Sequence, residues 1–92
     1  MEEIKNIINN EKIGNTFFNL YDRWRDECEF EDINEYGKVI ANVIATEYPS
    51  YDVKLVQSMK RPFGVKINVC GLTFKVWVKL RGRSICLCAS KA

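Results

Sequence analysis

The chain contains no histidine. That absence removes the commonest general base near neutral pH, the imidazole of most zinc sites, and every nucleophile–histidine pair of the hydrolase kind. Long apolar runs are also missing, and nothing approaches the roughly 18 residues a helix needs to cross a bilayer. There are only two prolines, and no repeat, low-complexity tract or linker interrupts the sequence. The opening, Met1-Glu2-Glu3-Ile4-Lys5, is acidic and alternating, unlike the basic and then apolar start of a secretory signal. The expected location is therefore cytoplasmic. In a reducing compartment Cys28, Cys70, Cys86 and Cys88 are expected as free thiols rather than two disulfides, buried as small apolar residues.

What is present suits one soluble domain spanning residues 1–92: 47% of the 92 residues are apolar and 28% charged, ordinary values for a globule of that size. Charge is unevenly placed. Residues 1–48 hold five Lys/Arg against eleven Asp/Glu, a balance of −6, whereas residues 49–92 hold nine against one, a balance of +8. Such asymmetry between halves is a hint of an interaction surface.

The spacing changes at Tyr48-Pro49-Ser50. Before it, Ile4, Ile7 and Ile8 have helical spacing and predict a short first helix, which Gly14-Asn15 is expected to interrupt. Phe17, Leu20, Tyr21, Trp24 and Cys28 form an amphipathic stripe for a second helix, with Asn15 or Thr16 as its cap. Asp32-Ile33-Asn34-Glu35 resembles a capping box, and Ile33, Tyr36, Ile40, Val43 and Ile44 continue the helical period until Pro49, predicting a third helix over 32–47. Gly37 costs that helix about 1 kcal/mol relative to alanine, which a close approach to another element would explain.

After Pro49 the pattern alternates. A first strand from about Tyr51 to Met59 is blurred where Leu55-Val56 breaks the alternation, and Lys60-Arg61-Pro62 makes a loop. With Cys70-Gly71 as a two-residue turn, Val69 faces Leu72, Ile67 faces Phe74, Val65 faces Val76 and Phe63 faces Val78, so every apolar residue shares one side. With Arg81-Gly82 as the next turn, Val78 meets Ile85, Val76 meets Leu87 and Phe74 meets Ala89. The fold expected is a two-layer α+β domain: N-terminal helices, the acidic half, on one face of a C-terminal antiparallel meander of three to four strands, the basic half.

The other face of that meander shows Lys66, Asn68, Thr73, Lys75, Trp77 and Lys79, with Ser84, Cys86 and Cys88 beside them and Arg81 and Arg83 at the turn. Trp77 falls opposite Gly64, where an indole can shield the exposed backbone. Lysines are normal on the wet face of an antiparallel sheet and blunt its edges. They also steer a domain to an acidic partner, and Trp and Arg are the types enriched at interface hot spots. Stacking on single-stranded nucleic acid would use the same residues, although sheets that do this usually show two or three aromatics, and only Tyr51 could join Trp77.

Catalytic signatures are thin. Cys70, Cys86, Cys88 and Ser84 lack a histidine to activate them. Cys86 and Cys88 lie i, i+2 on a strand, unlike the turn-borne CxxC pairs of zinc and redox sites. The acidic run Asp26, Glu27, Glu29, Glu31, Asp32, Glu35 lacks the central glycine of an EF-hand loop and suits a solvated helix junction. No metal and no cofactor are expected, and the chain is not read as an enzyme. Small freestanding domains without a catalytic set commonly act by adhering to something larger, as phage-encoded inhibitors of CRISPR effectors and other nucleic-acid enzymes do. The first expectation is thus a non-catalytic protein-binding module of inhibitor type, using Lys66, Lys75, Trp77, Lys79, Arg81 and Arg83. Single-stranded nucleic-acid binding by the same face is the alternative, and a thiol-dependent enzyme the third.

Overall fold

The computed structural model describes residues 2–27 and 33–92, with the side chains of residues 24–34 outside that description. The order is α1 (Glu2–Asn9), α2 (Glu11–Glu27), α3 (Ile33–Glu47), a 3₁₀ turn (Pro49–Tyr51), then β1 (Val53–Lys60), β2 (Phe63–Val69), β3 (Leu72–Arg81) and β4 (Ser84–Lys91). The strands form one antiparallel sheet in the order β1-β2-β3-β4, and the three helices lie on one face of it. This is the two-layer α+β architecture that the periodicities predict, with four strands. No described helix is long and apolar enough to cross a membrane. The Asp32 cap, the side chain of Trp24, Cys28 and the acidic run before Glu35 lie outside the described residues.

The first helix ends earlier than expected. Its break falls at Asn10, and Gly14 lies within α2. The cause is the Asn10 side chain, whose Oδ1 accepts the Ile13 amide at 3.0 Å, so it caps α2 in the way foreseen for Asn15 or Thr16. The Thr16 hydroxyl instead donates back to the Lys12 carbonyl at 2.9 Å, an ordinary mid-helix arrangement. Asn10 Nδ2 also donates to the Tyr48 hydroxyl at 3.2 Å and to Glu47 Oε1 at 3.3 Å, tying the α1–α2 corner to the end of α3.

Helix α3 lies over β1 and β2, while α1 and α2 close over β3 and β4. Ile7, Phe17, Ile40 and Ile44 from the helices meet Val65, Ile67 and Val76 from the sheet, all fully buried. Gly37 is explained by this packing. A Cβ there would fall 2.0 Å from the Ser58 hydroxyl and 3.1 Å from Leu55, so glycine lets α3 seat on β1 without displacing those side chains. Next to it Tyr36 stacks on Phe63 with ring centroids 4.5 Å apart and donates its hydroxyl to the Met59 carbonyl. Burial pushes that hydroxyl up to about 12.

The central hairpin has the register expected, Val69 with Leu72, Ile67 with Phe74 and Val65 with Val76. Its turn residues Cys70 and Gly71 both take positive φ, 52° and 87°, which the tight hairpin turn needs at its two positions. The second hairpin differs. Its turn is Gly82-Arg83, not Arg81-Gly82, so Arg81 pairs with Ser84, Val78 with Leu87 and Val76 with Ala89. Gly82 takes φ 57° at the first turn position, the Gly-X form of a two-residue turn. The two-residue shift leaves each side chain on its expected face. In β1 the pairing slips between Leu55 and Gln57, leaving Val56 as a bulge residue, 52% exposed. That bulge is the break in alternation at Leu55-Val56.

Candidate functional site

The register sets out the open face strand by strand. One row crosses all four strands as Met59, Gly64, Trp77 and Cys88, and the next as Gln57, Lys66, Lys75 and Ser90. On the other side of the Trp77 row, Lys79 faces Cys86 and Arg81 faces Ser84. Farther along, Asn68 Nδ2 donates to Thr73 Oγ1 at 3.3 Å, and Asn68 Oδ1 accepts the Gly71 amide at 3.2 Å, bracing the hairpin turn.

Trp77 is half-buried although no described helix covers this face. Its partner across the β2–β3 pair is Gly64, which has no side chain. A Cβ at Gly64 would lie 2.1 Å from the Val76 carbonyl oxygen and 2.6 Å from the Trp77 Cα. The two strands therefore approach closely here, leaving no room for a side chain at position 64. No hydrogen bond ties the indole N–H to any described residue, so the polar edge of the ring remains open to a partner.

Toward the β3–β4 turn the sheet narrows. β2 begins at Phe63, whereas β3 and β4 run on to Arg81 and Ser84 as an overhanging hairpin. Beneath the overhang is a cleft of about 450 Å³ lined by Tyr21, Lys60, Arg61, Pro62, Phe63, Trp77, Val78, Lys79 and Leu80. Leu80 is 57% exposed at its rim. Three lining residues are cations, and Arg81 and Arg83 stand exposed on the adjoining hairpin. None of these five cations forms an ion pair with a described residue.

Of the residues expected at the site, Trp77 and Lys79 line the cleft, with Arg81 and Arg83 on the hairpin beside it. Lys66 and Lys75 lie on the opposite side of Trp77, paired with each other and outside the cleft. Tyr51 does not join them: it stacks on Tyr48 at 4.6 Å and its hydroxyl accepts from Asn6. Lys60, Arg61, Leu80 and Tyr21 are the additions. The two cations were visible in the sequence, but only the hairpin overhang brings them to Trp77.

The cysteines are free where described, but they are not core residues. Cys70 is exposed, and Cys86 and Cys88 are half-buried on the open face. Position explains this: turn residues lie at the surface, and the strand parity that packs half-buried Ile85 and Leu87 against the core turns Cys86 and Cys88 outward. Cys70 Sγ lies 3.2 Å from the Tyr51 carbonyl oxygen. Among the described residues no group of three or more cysteine or carboxylate side chains is placed to hold a metal ion. Compared with protein families, with curated proteins and with solved structures, the chain matches none.

Proposed function

We propose that the chain is a non-catalytic protein-binding module that docks through Trp77 and the cations around it onto an acidic surface of a larger protein. One observation carries this reading: five cations with no ion-pair partner among the described residues, Lys60, Arg61, Lys79, Arg81 and Arg83, gather at the end of the sheet where a half-exposed indole and Leu80 frame a cleft. An aromatic anchor beside an apolar rim, ringed by cations, supplies the desolvated centre and polar border of a protein interface. The cations would speed encounter with an acidic patch and fix the orientation of docking. Lys66 and Lys75 extend the same charge across the open face. When the surface covered is one the larger protein needs, adhesion of so small a domain acts as inhibition, the inhibitor role expected from its size and lack of catalytic residues.

The test is affinity capture from a host lysate with and without nuclease, repeated with Trp77→Ala. A protein retained after nuclease treatment, and lost in the variant, supports the reading. Retention that vanishes with nuclease instead identifies single-stranded nucleic acid as the ligand, with log affinity falling about 0.7 per phosphate contacted as log salt rises.

A further inference from the structure

The two edges of the sheet are built differently, and the difference points to a second surface, independent of the cleft. Edge strand β1 is guarded. It carries Lys54 and Lys60, and the bulge at Val56 interrupts its line. Lysines and bulges are the devices by which sheets prevent edge pairing. β4 has no bulge, its pairing with β3 being unbroken from Arg81–Ser84 to Phe74–Lys91, and its one charged residue is Lys91 at the very end, so that Ser84 to Ser90 is an uncharged run.

The backbone groups on that edge can be assigned. Arg81 and Ser84 close a two-residue turn, so they form a hydrogen-bonded pair, and Ala92 donates to the Thr73 carbonyl at 3.0 Å in the same phase. The even-numbered residues of β4 therefore bond to β3, and Ile85, Leu87 and Ala89 turn their N–H and C=O groups to the free side. No described residue bonds to them there. Alongside lies a cleft of about 300 Å³ between β4 and the α1–α2 corner, whose walls include Ile8, Phe18, Ile85 and Leu87. An unpaired edge beside a cleft of mixed apolar and polar lining is a setting for strand addition.

We propose that the strand added is β4 of a second copy, giving a two-fold dimer with a continuous eight-stranded sheet. The added strand must be uncharged, apolar on the helix side and small on the open side. β4 itself has this pattern, with Ile85, Leu87 and Ala89 on one side and Cys86 and Cys88 on the other. Guarded β1 cannot serve as the acceptor for head-to-tail growth, so pairing closes as an isologous dimer. The dimer would place two Trp77 rows side by side on one open face.

Geometry adds a signature. Keeping apolar residues on the helix side requires an even register, centred on Cys86, Leu87 or Cys88. These centres set Cys86 opposite Cys86, Cys86 opposite Cys88, or Cys88 opposite Cys88 of the second copy. Each is a non-hydrogen-bonded pair, with Cα atoms about 4.5 Å apart, within disulfide range.

The experiment uses the full chain with Cys28→Ser and Cys70→Asn, leaving the two β4 thiols. Sedimentation over micromolar to submillimolar concentration should show the mass doubling. Diamide, which takes two electrons and two protons from a thiol pair, should trap a dimer whose disulfide maps to Cys86 or Cys88. Ala89→Pro removes one outward N–H and no bond to β3; with its circular dichroism unchanged, it should be monomeric and give no trapped dimer. A chain that stays monomeric throughout overturns the proposal and leaves the edge to a strand of another protein. A dimer that persists in Ala89→Pro, or that yields no intermolecular β4 disulfide, overturns it equally.

Discussion

The two faces of this sheet obey different rules. On the inner face Val65, Ile67 and Val76 are wholly buried, and each has an apolar partner on the neighbouring strand. On the outer face, one residue along, Lys66 pairs with Lys75 and Trp77 with a glycine. Directly opposed like charges destabilise a sheet, so the open face is not arranged for the stability of the isolated domain. The inner face accounts for the fold, and the outer face carries the proposed docking surface. That division is sharpest at β2, where consecutive residues answer to opposite demands.

The largest effect should come from breaking the inner face. Ile67→Ala leaves a cavity between α3 and the sheet and should cost about 2–5 kcal/mol, read from the denaturant midpoint. Gly64→Ala should come close to it, at about 2–3 kcal/mol. The added methyl meets the Val76 carbonyl, a backbone group that cannot swing aside. Gly37→Ala meets only the Ser58 hydroxyl and the end of Leu55, side-chain atoms that can turn away, and should cost less. Equal losses at the two glycines would mean that β2 and β3 separate as easily as a side chain rotates.

A pH series tests the same buried layer without mutation. Burial raises the Tyr36 hydroxyl to about 12, from the 10 of an exposed tyrosine. Between those values the unfolded chain gives up its proton first, so stability falls as pH rises from 10 to 12, by up to about 2–3 kcal/mol, and is fully present below 10. Tyr36→Phe should flatten that segment of the stability curve. It would also remove the bond to the Met59 carbonyl, lowering the plateau by about 1 kcal/mol.

Trp77→Ala asks whether the open face carries function. Affinity for the captured protein should drop by about 2 kcal/mol, near thirtyfold, while thermal unfolding changes less than for Ile67→Ala. A variant that loses the fold along with the partner would assign Trp77 to the structure, as the cover of Gly64 and nothing more.

The contrast also explains which features could be read in advance. Parity along a strand separates inside from outside, so the layers, the central hairpin and the membership of the open face were legible from the residue pattern. Parity repeats every two residues, however, and is blind to a shift of two. The β3–β4 register slipped by that amount because Gly82 can serve as either residue of a two-residue turn, whereas Cys70-Gly71 has only one placement that keeps Val69 beside Leu72. The α1–α2 break was misplaced for a similar reason: Gly14 weakens a helix statistically, but the Asn10 side chain, bonded to the Ile13 amide, decides where the new helix starts. The cleft at the sheet end was beyond the pattern altogether. It depends on β3 and β4 outrunning β2, a difference in length rather than in composition.

The smallest expected effect discriminates most finely between the faces. Lys66→Ala and Ile67→Ala change adjacent residues in one strand, yet Lys66 contributes no packing to the core and faces Lys75. Its removal should change stability by no more than about 0.5 kcal/mol, and the sign should favour the variant at low salt, where the repulsion between the lysines is least screened. Raising salt should erase that gain, since the pair is open to water. The same variant should slow association with an acidic partner at low salt and leave dissociation nearly unchanged, as removal of a peripheral charge does. A stability loss approaching that of Ile67→Ala would mean that the lysine stem packs on Trp77 and that the open face, too, is held together from within.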